Sequence, residues 1–230
     1  MRLETRWREE DGARLAATVW RTGPGLRAIS SALLGGGTGP IGWVLNAQVP
    51  GAYARLDPQE HLRELAVSYG LRGRGVAMMT AAPVDRTVRA VDEGVTVSAT
   101  VGLRVPTWAA APADAADPEL APIRLDGATP GTINIVVAVP VALSDAALVN
   151  AVVTATEAKT QALLEAGYAC TGTASDAICV AAPVPRPDEP EEPFAGPRST
   201  WGARIARAVH AAVHEGAVDF TARLRARLPG

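Results

Sequence analysis

The chain predicts an α/β fold, with α+β as its near variant: a single domain of 230 residues built on a mixed β-sheet flanked by helices. Three observations carry this. Gly131 to Ala142 (GTINIVVAVPVA) is apolar on both parities, as in a central strand covered on two faces, and a helical stretch and a second apolar run follow it. Strand, helix and strand therefore come in the order of a crossover unit. Val95 to Val101 (VTVSATV) alternates with period two and is rich in β-branched residues. Near the end of the chain Ile205, Val209, Ala212 and Val213 recur at helical spacing.

Taken in order, Leu15 to Trp20, Leu26 to Ile29 and Ile41 to Leu45 read as strands separated by Gly23-Pro24-Gly25 and by the Gly35 to Pro40 run. Asp57 and Pro58 open a helix as N-cap and first helical residue; Leu62, Leu65 and Ala66 give its apolar stripe and Gly70 ends it near Tyr69. Gly75 to Ala82 is a further strand. Residues 106–130 shift to Ala, Pro and Asp with little periodicity and read as a mobile surface excursion. Ser144 caps a helix that reaches Glu165, with Gly167 just beyond it. The turn Thr171-Gly172-Thr173 leads to a strand at Ala177 to Ala182, a Pro/Glu linker covers 183–197, and a last helix runs from about Thr200 to Arg225.

Composition sets bounds on function. The hydrophobic fraction of 48% is enough for one substantial core. The 22 basic and 24 acidic side chains nearly cancel and form no block, so the field that gathers nucleic acid or anionic lipid is missing. No window supplies the roughly 20 apolar residues of a membrane span, and Met1 to Glu10 has no apolar leader core, so the expectation is a soluble cytoplasmic protein. Homo-oligomerisation stays open. Cys170 and Cys179 are too few for a disulfide framework or a structural zinc site. Lys159 is the only lysine among the 22 basic residues, which singles it out as a place where a compact ammonium is needed and guanidinium does not serve.

On the long helix, Asn150, Thr154, Glu157 and Gln161 line up on one face, while Lys159 lies about 200° from Glu157. A regular helix cannot aim both into one narrow pocket. Either one of them is structural or the site wraps around the helix end. The polar stripe is expected to face a cleft. His210 and His214 have metal-ligand spacing, but Glu215 follows the pair instead of lying inside it, so they read as a solvated face. Asn46 and Asn134 sit beside apolar strands, where each amide needs a partner or a ligand. Ser30 and Ser31 could supply a hydroxyl nucleophile, though no base is visible beside them, and Gly35 to Gly39 reads as a turn.

Four segments together resemble the adenosylcobinamide amidohydrolase family: the Asn-x-Gln-Val stretch Asn46 to Val49, MMTAA at Met78 to Ala82, GTINI at Gly131 to Ile135, and TEAK with TGTASDA at Thr156 to Lys159 and Thr171 to Ala177. Their order and spacing match through most of the chain. The chain departs from the family pattern at Arg104 and Val105, where a Ser-Asn pair is usual, and lacks a Gly-Asp step in the excursion that follows.

The resemblance implies hydrolysis of the amide that joins aminopropanol to the ring of adenosylcobinamide, giving adenosylcobyric acid for corrinoid salvage. A small-molecule corrinoid is the implied partner, and no metal or organic cofactor is required. A Ser-His-Asp triad is disfavoured, because none of the three histidines lies in a matching segment. The expectation is that Glu157 activates water, Lys159 or backbone N–H groups of the Thr171-Gly172-Thr173 turn stabilise the oxyanion, and Asp176 orients a partner. Asn46, Thr80, Asn134, Thr171, Gly172 and Thr173 are the expected substrate contacts. The alternatives are a non-catalytic corrinoid-binding module, disfavoured by the absence of a D-x-H-x-x-G motif, and an amidase for another small amide.

Overall fold

The organising element is a bent 18-residue strand. In the computed structural model, which describes residues 1–115, 131–187 and 189–226, strand β2 (Ala13–Ser30) belongs to two leaves of one eight-stranded sheet. The N-terminal half of β2 pairs antiparallel with β1 (Glu4–Glu10), and its C-terminal half pairs antiparallel with β8 (Ala177–Pro183). On its other edge β3 (Gly37–Gln48) follows β2 along most of its length, and β4 (Val76–Thr80) adds to β3 in parallel. Beyond β8 come β7 (Ile133–Ala138), parallel to β8, then β6 (Val95–Val101) and β5 (Val88–Asp92), both antiparallel. The sheet is mixed, as expected.

The sequence suggests two strands and a turn where β2 is one strand. Gly23-Pro24-Gly25 forms a bulge: between Arg21 and Leu26 the strand advances five residues while β3 advances two, from Trp43 to Ile41. Gly23 and Gly25 adopt φ of 71° and 88°, which glycine accepts without steric cost. The bend lets the leaves fold over one another.

Three α-helices among the described residues flank the sheet: α1 (Pro58–Ser68), α2 (Asp145–Glu165) and α3 (Thr200–Arg225). Alternating side chains sort into three stacked cores. Val19, Trp43 and Leu45 meet Leu62 and Leu65 of α1 on one outer face. Trp20, Val44 and Met78 meet Val136, Cys179 and Ala181 between the leaves. Ile133, Ile135, Val137 and Val180 pack under α2 and α3 on the other outer face. The order is helix, leaf, leaf, helix pair. None of the described helices is long and apolar enough to cross a membrane.

Ser144 caps α2 as expected, accepting from Ala147 N, and Ser199 caps α3 by accepting from Gly202 N. Asp57 differs from expectation. It precedes Pro58 at the start of α1 but makes no capping bond, because its carboxylate is taken by Arg55. Of the proposed excursion at 106–130, residues 116–130 lie outside the described residues. The 183–197 segment bonds to its surroundings: Val184 N donates to Gly25 O, Glu192 exchanges backbone bonds with Ala142 and Ser144, and Thr154 Oγ1 donates to Ala195 O at 2.7 Å.

Ion pairs tie α3 to the sheet edge, Arg207 to Asp92 and Arg86 to Asp219. The hydrogen bond from Arg207 holds the Asp92 carboxyl below the usual carboxylate range, and Arg86 does the same for Asp219. Carboxylates with depressed folded-state pKa values add stability that is complete above their unfolded pKa, about 4, and is lost as pH falls through the folded value. Both pairs are partly exposed, so the effect is screened and small. The melting temperature is expected to drop a few degrees between pH 7 and pH 3 in thermal scans. Asp92→Asn with Asp219→Asn should shrink that drop.

Candidate active site

A cleft of about 620 Å³ opens where the two leaves meet, lined by the ends of four strands. Ser31 follows β2, Thr80 closes β4, Thr132 precedes β7 and Asn134 lies at its start, and Ser175 and Asp176 lead into β8. Met78, Met79 and Val49 give it an apolar wall, and Tyr53 and Arg55 reach it from the loop before α1. The GTINI, MMTAA and TGTASDA segments thus converge on one cavity, although they are far apart in sequence.

Asp176 is the charged centre of its wall. Its Oδ2 accepts from Lys159 Nζ at 2.5 Å and from Thr173 N at 3.2 Å, and its Oδ1 accepts from Ile133 N at 2.9 Å and Thr173 Oγ1 at 2.5 Å. The side chains of Lys159 and Asp176 are only 8% and 10% exposed. Four donors fill the acceptor positions of one carboxylate, which fixes Asp176 in place and holds the ammonium directly behind the cleft wall. Lys159 keeps two further N–H donors. Gly172 makes the pair possible: a Cβ there would stand 2.2 Å from Asp176 Oδ2 and 2.5 Å from Lys159 Nζ.

The remaining expected site residues divide. Thr80 lines the cleft and its Oγ1 accepts from Ala82 N. Asn134 lines it too, and its Nδ2 donates to Asn46 Oδ1 at 2.7 Å and to Met79 O at 3.0 Å. Those bonds set the orientation of the amide and leave Oδ1 buried without a partner among the described residues. Asn46 lies deeper, donating to Thr100 Oγ1 on β6 at 2.9 Å, so its amide ties the leaves together. Thr171 serves its own neighbourhood: its Oγ1 accepts from Ala109 N, and its backbone pairs with Thr107. Thr173 supports Asp176.

Glu157 stands apart from this group. It is exposed in a separate groove on the outer side of α2, with Thr156, Gln161 and Glu165. The expected polar stripe does not border the cleft, because α2 turns its small residues Ala147, Ala151, Ala155, Ala158 and Ala162 inward. Lys159 goes inward with them. Thr154 is buried against Ala195, whereas Asn150 is exposed.

His210 and His214 stack with ring centroids 5.8 Å apart, and His210 pairs with Glu165 at 2.6 Å, bracing α3 against α2. Among the described residues no three His, Cys, Asp or Glu side chains gather closely enough to hold a metal. Burial pushes the Cys179 thiol up to about 12 and raises that of Cys170, so neither offers a ready thiolate.

A model of the adenosylcobinamide amidohydrolase family matches residues 3–224. The chain belongs to that family. The adenosylcobinamide amidohydrolase of Methanosarcina mazei is 32% identical over 182 residues, covering 76% of this chain and 82% of the relative. The one from Halobacterium salinarum is 34% identical over 193 residues, covering 83% and 79%. Among solved structures, the L-aminopeptidase D-Ala-esterase/amidase of Ochrobactrum anthropi aligns with 96% of this chain and 82% of its own, at 15% identity and a TM-score of 0.42.

All the cleft residues named above lie within the span matched by the amidohydrolase family. Sequence reasoning missed several of them: Thr132 and Ser175, whose hydroxyls meet at 2.8 Å, and Tyr53 with Arg55. Thr132 and Ser175 lie inside GTINI and TGTASDA, so the motifs pointed to them; nothing periodic marks Tyr53.

Proposed function

We propose that this cleft is where adenosylcobinamide is cut, with the Lys159–Asp176 pair as its charged centre. The chain is an amidohydrolase of corrinoid salvage, acting on a linear carbon–nitrogen amide bond. The observation that carries the site is Asp176 in the wall of a cavity built from the family's own segments, with its buried ion-pair partner Lys159 behind it. Burying two charges costs desolvation that their attraction barely offsets, so such a pair is poorly explained by stability alone.

A cleft of about 620 Å³ encloses a drug-sized ligand. The corrin with its adenosyl group is larger. In this reading only the aminopropanol arm and the adjoining ring edge enter, and the rest of the macrocycle stays outside. Hydrolysis adds water across the C–N bond, the hydroxyl to the carbonyl carbon and a proton to the amine, releasing adenosylcobyric acid and aminopropanol. The fixed ammonium of Lys159, held behind Asp176 in the wall, makes the field there favourable to the charge that develops on the carbonyl oxygen. Ser31, Thr132 and Ser175 line the same space, and a hydroxyl among them can hold the attacking water. In this reading the step uses no resident metal or organic cofactor.

Incubating the purified protein with adenosylcobinamide and resolving the products by chromatography tests the reading. Adenosylcobyric acid should accumulate, and Glu157→Gln should keep turnover within about threefold of wild type, because surface changes away from a site cost little. Tight binding without product would instead mean a corrinoid-holding module, and neither binding nor product an amidase for another amide.

A further inference from the structure

One histidine reaches the cleft indirectly. His61 is 3% exposed on α1, and its Nδ1 lies 3.0 Å from the hydroxyl of Tyr53, with the two ring planes nearly parallel at 9°. On its far side Nε2 lies 3.4 Å from Glu10 Oε1 of β1, and Glu10 is itself held by Arg8 Nε at 2.6 Å. Tyr53 lines the cleft; His61 and Glu10 do not. Glu10 is the acidic neighbour of Nε2, which favours an imidazole proton on that nitrogen and Nδ1 as an acceptor. In that tautomer the Tyr53 hydroxyl donates to Nδ1. Its oxygen lone pairs are left for whatever fills the cleft.

We propose that Tyr53 is a substrate-binding residue whose hydroxyl, oriented by His61 and Glu10, accepts from N–H groups of the carboxamides that rim the substrate. This rests on the reading of the cleft given above. The neighbouring Arg55 does not compete for that role: both of its guanidinium edges are taken by Asp57 and Glu64. An amide-rimmed ring is matched by an acceptor such as this one, and a phenol already held by His61 loses little further freedom on binding. Tyr53 touches the substrate, whereas His61 is a positioning residue that acts through it.

Steady-state kinetics with adenosylcobinamide tests this in wild type, Tyr53→Phe, His61→Ala, His61→Asn and the Tyr53→Phe/His61→Ala double variant. Tyr53→Phe should raise KM about tenfold, the worth of one hydrogen bond, and leave kcat within about twofold. His61→Ala should raise KM similarly, the double variant should be no worse than Tyr53→Phe alone, and His61→Asn, which keeps a polar atom near Nδ1, should recover much of the loss. An unmoved KM in Tyr53→Phe overturns the proposal, as does a double variant in which the two losses multiply. If His61→Ala fails to fold, Tyr53→Phe decides alone, because it preserves the ring and its packing. Wild type that makes no product would sink the amidohydrolase reading itself, a result distinct from active wild type with an unaffected Tyr53→Phe.

Discussion

Asp176→Asn should lower turnover of adenosylcobinamide by at least about a hundredfold and lower the melting temperature as well. All four groups around Asp176, namely Lys159 Nζ, Thr173 Oγ1 and the backbone N–H groups of Ile133 and Thr173, donate to it. An amide offers one acceptor and one donor, so whichever way Asn turns, its NH₂ meets donors and Lys159 keeps a buried charge without a counter-ion. Breaking such a pair from one side costs about 3–5 kcal/mol. Lys159→Met should be comparably inactive. Lys159→Arg tests the need for a compact cation, since a planar guanidinium is bulkier than the ammonium that packs against Gly172. Removing both charges in Lys159→Met/Asp176→Leu should relieve the lone buried ammonium but leave the N–H groups of Ile133 and Thr173 without their acceptor, so it should recover only part of the lost thermal stability and none of the turnover. Near-wild-type rates in Asp176→Asn would remove the pair from the mechanism.

Gly172→Ala should be the next most damaging change, lowering kcat/KM by about a hundredfold, the scale of a roughly 1 Å misplacement of catalytic groups. The new methyl would overlap Asp176 Oδ2 at 2.2 Å and Lys159 Nζ at 2.5 Å, and Gly172 holds φ at 154°, where a side chain is strained in any case. Neither neighbour can give way cheaply. Asp176 is anchored by Thr173 and Ile133, and Lys159 is confined beneath α2. Thr171→Val provides the contrast: it removes the acceptor for Ala109 N but leaves the ion pair alone, so its rate should stay within several-fold of wild type. Comparable losses in the two variants would show that the turn as a whole matters, not the contact with the pair.

The parts of the fold legible in the sequence are those where burial writes a pattern. Ile133–Ala138 was recognisable as a central strand because both of its faces are covered, and Ser144 and Gly167 bracket a helix that exists as expected. β1 and β5 were overlooked because they lie at or near the sheet's margins and carry charged or half-exposed residues with no apolar alternation. Their turns were nevertheless written down: Asp11-Gly12 and Glu93-Gly94 are two-residue hairpin loops with positive φ at both positions. Gly23-Pro24-Gly25 misled because glycine and proline mark bulges as readily as turns.

In the site, the segments that resemble the family led to Asp176, Thr80 and Asn134, all of which line the cleft. Glu157 was placed in it because helical geometry gives the angle between two residues but not which one faces inward. The inward face of α2 is mostly alanine, whose weak hydrophobic contrast hides it. Tyr53 and His61 were invisible for another reason. Their contact joins a loop to a helix, and no periodicity records it.

The bent strand also dictates an order of assembly. Ser30, at the end of β2, bonds to Ile178, 148 positions further along the chain, and β8 completes the edge that the bulge exposes. Pairings between such distant partners form slowly and only after most of the polypeptide has been made. The cleft has its walls at the ends of β2, β4, β7 and β8, so it comes into being when the late strand zips onto the early one. A fragment that stops before residue 177 would carry GTINI, TEAK and the TGT turn and still have nowhere to bind a corrinoid.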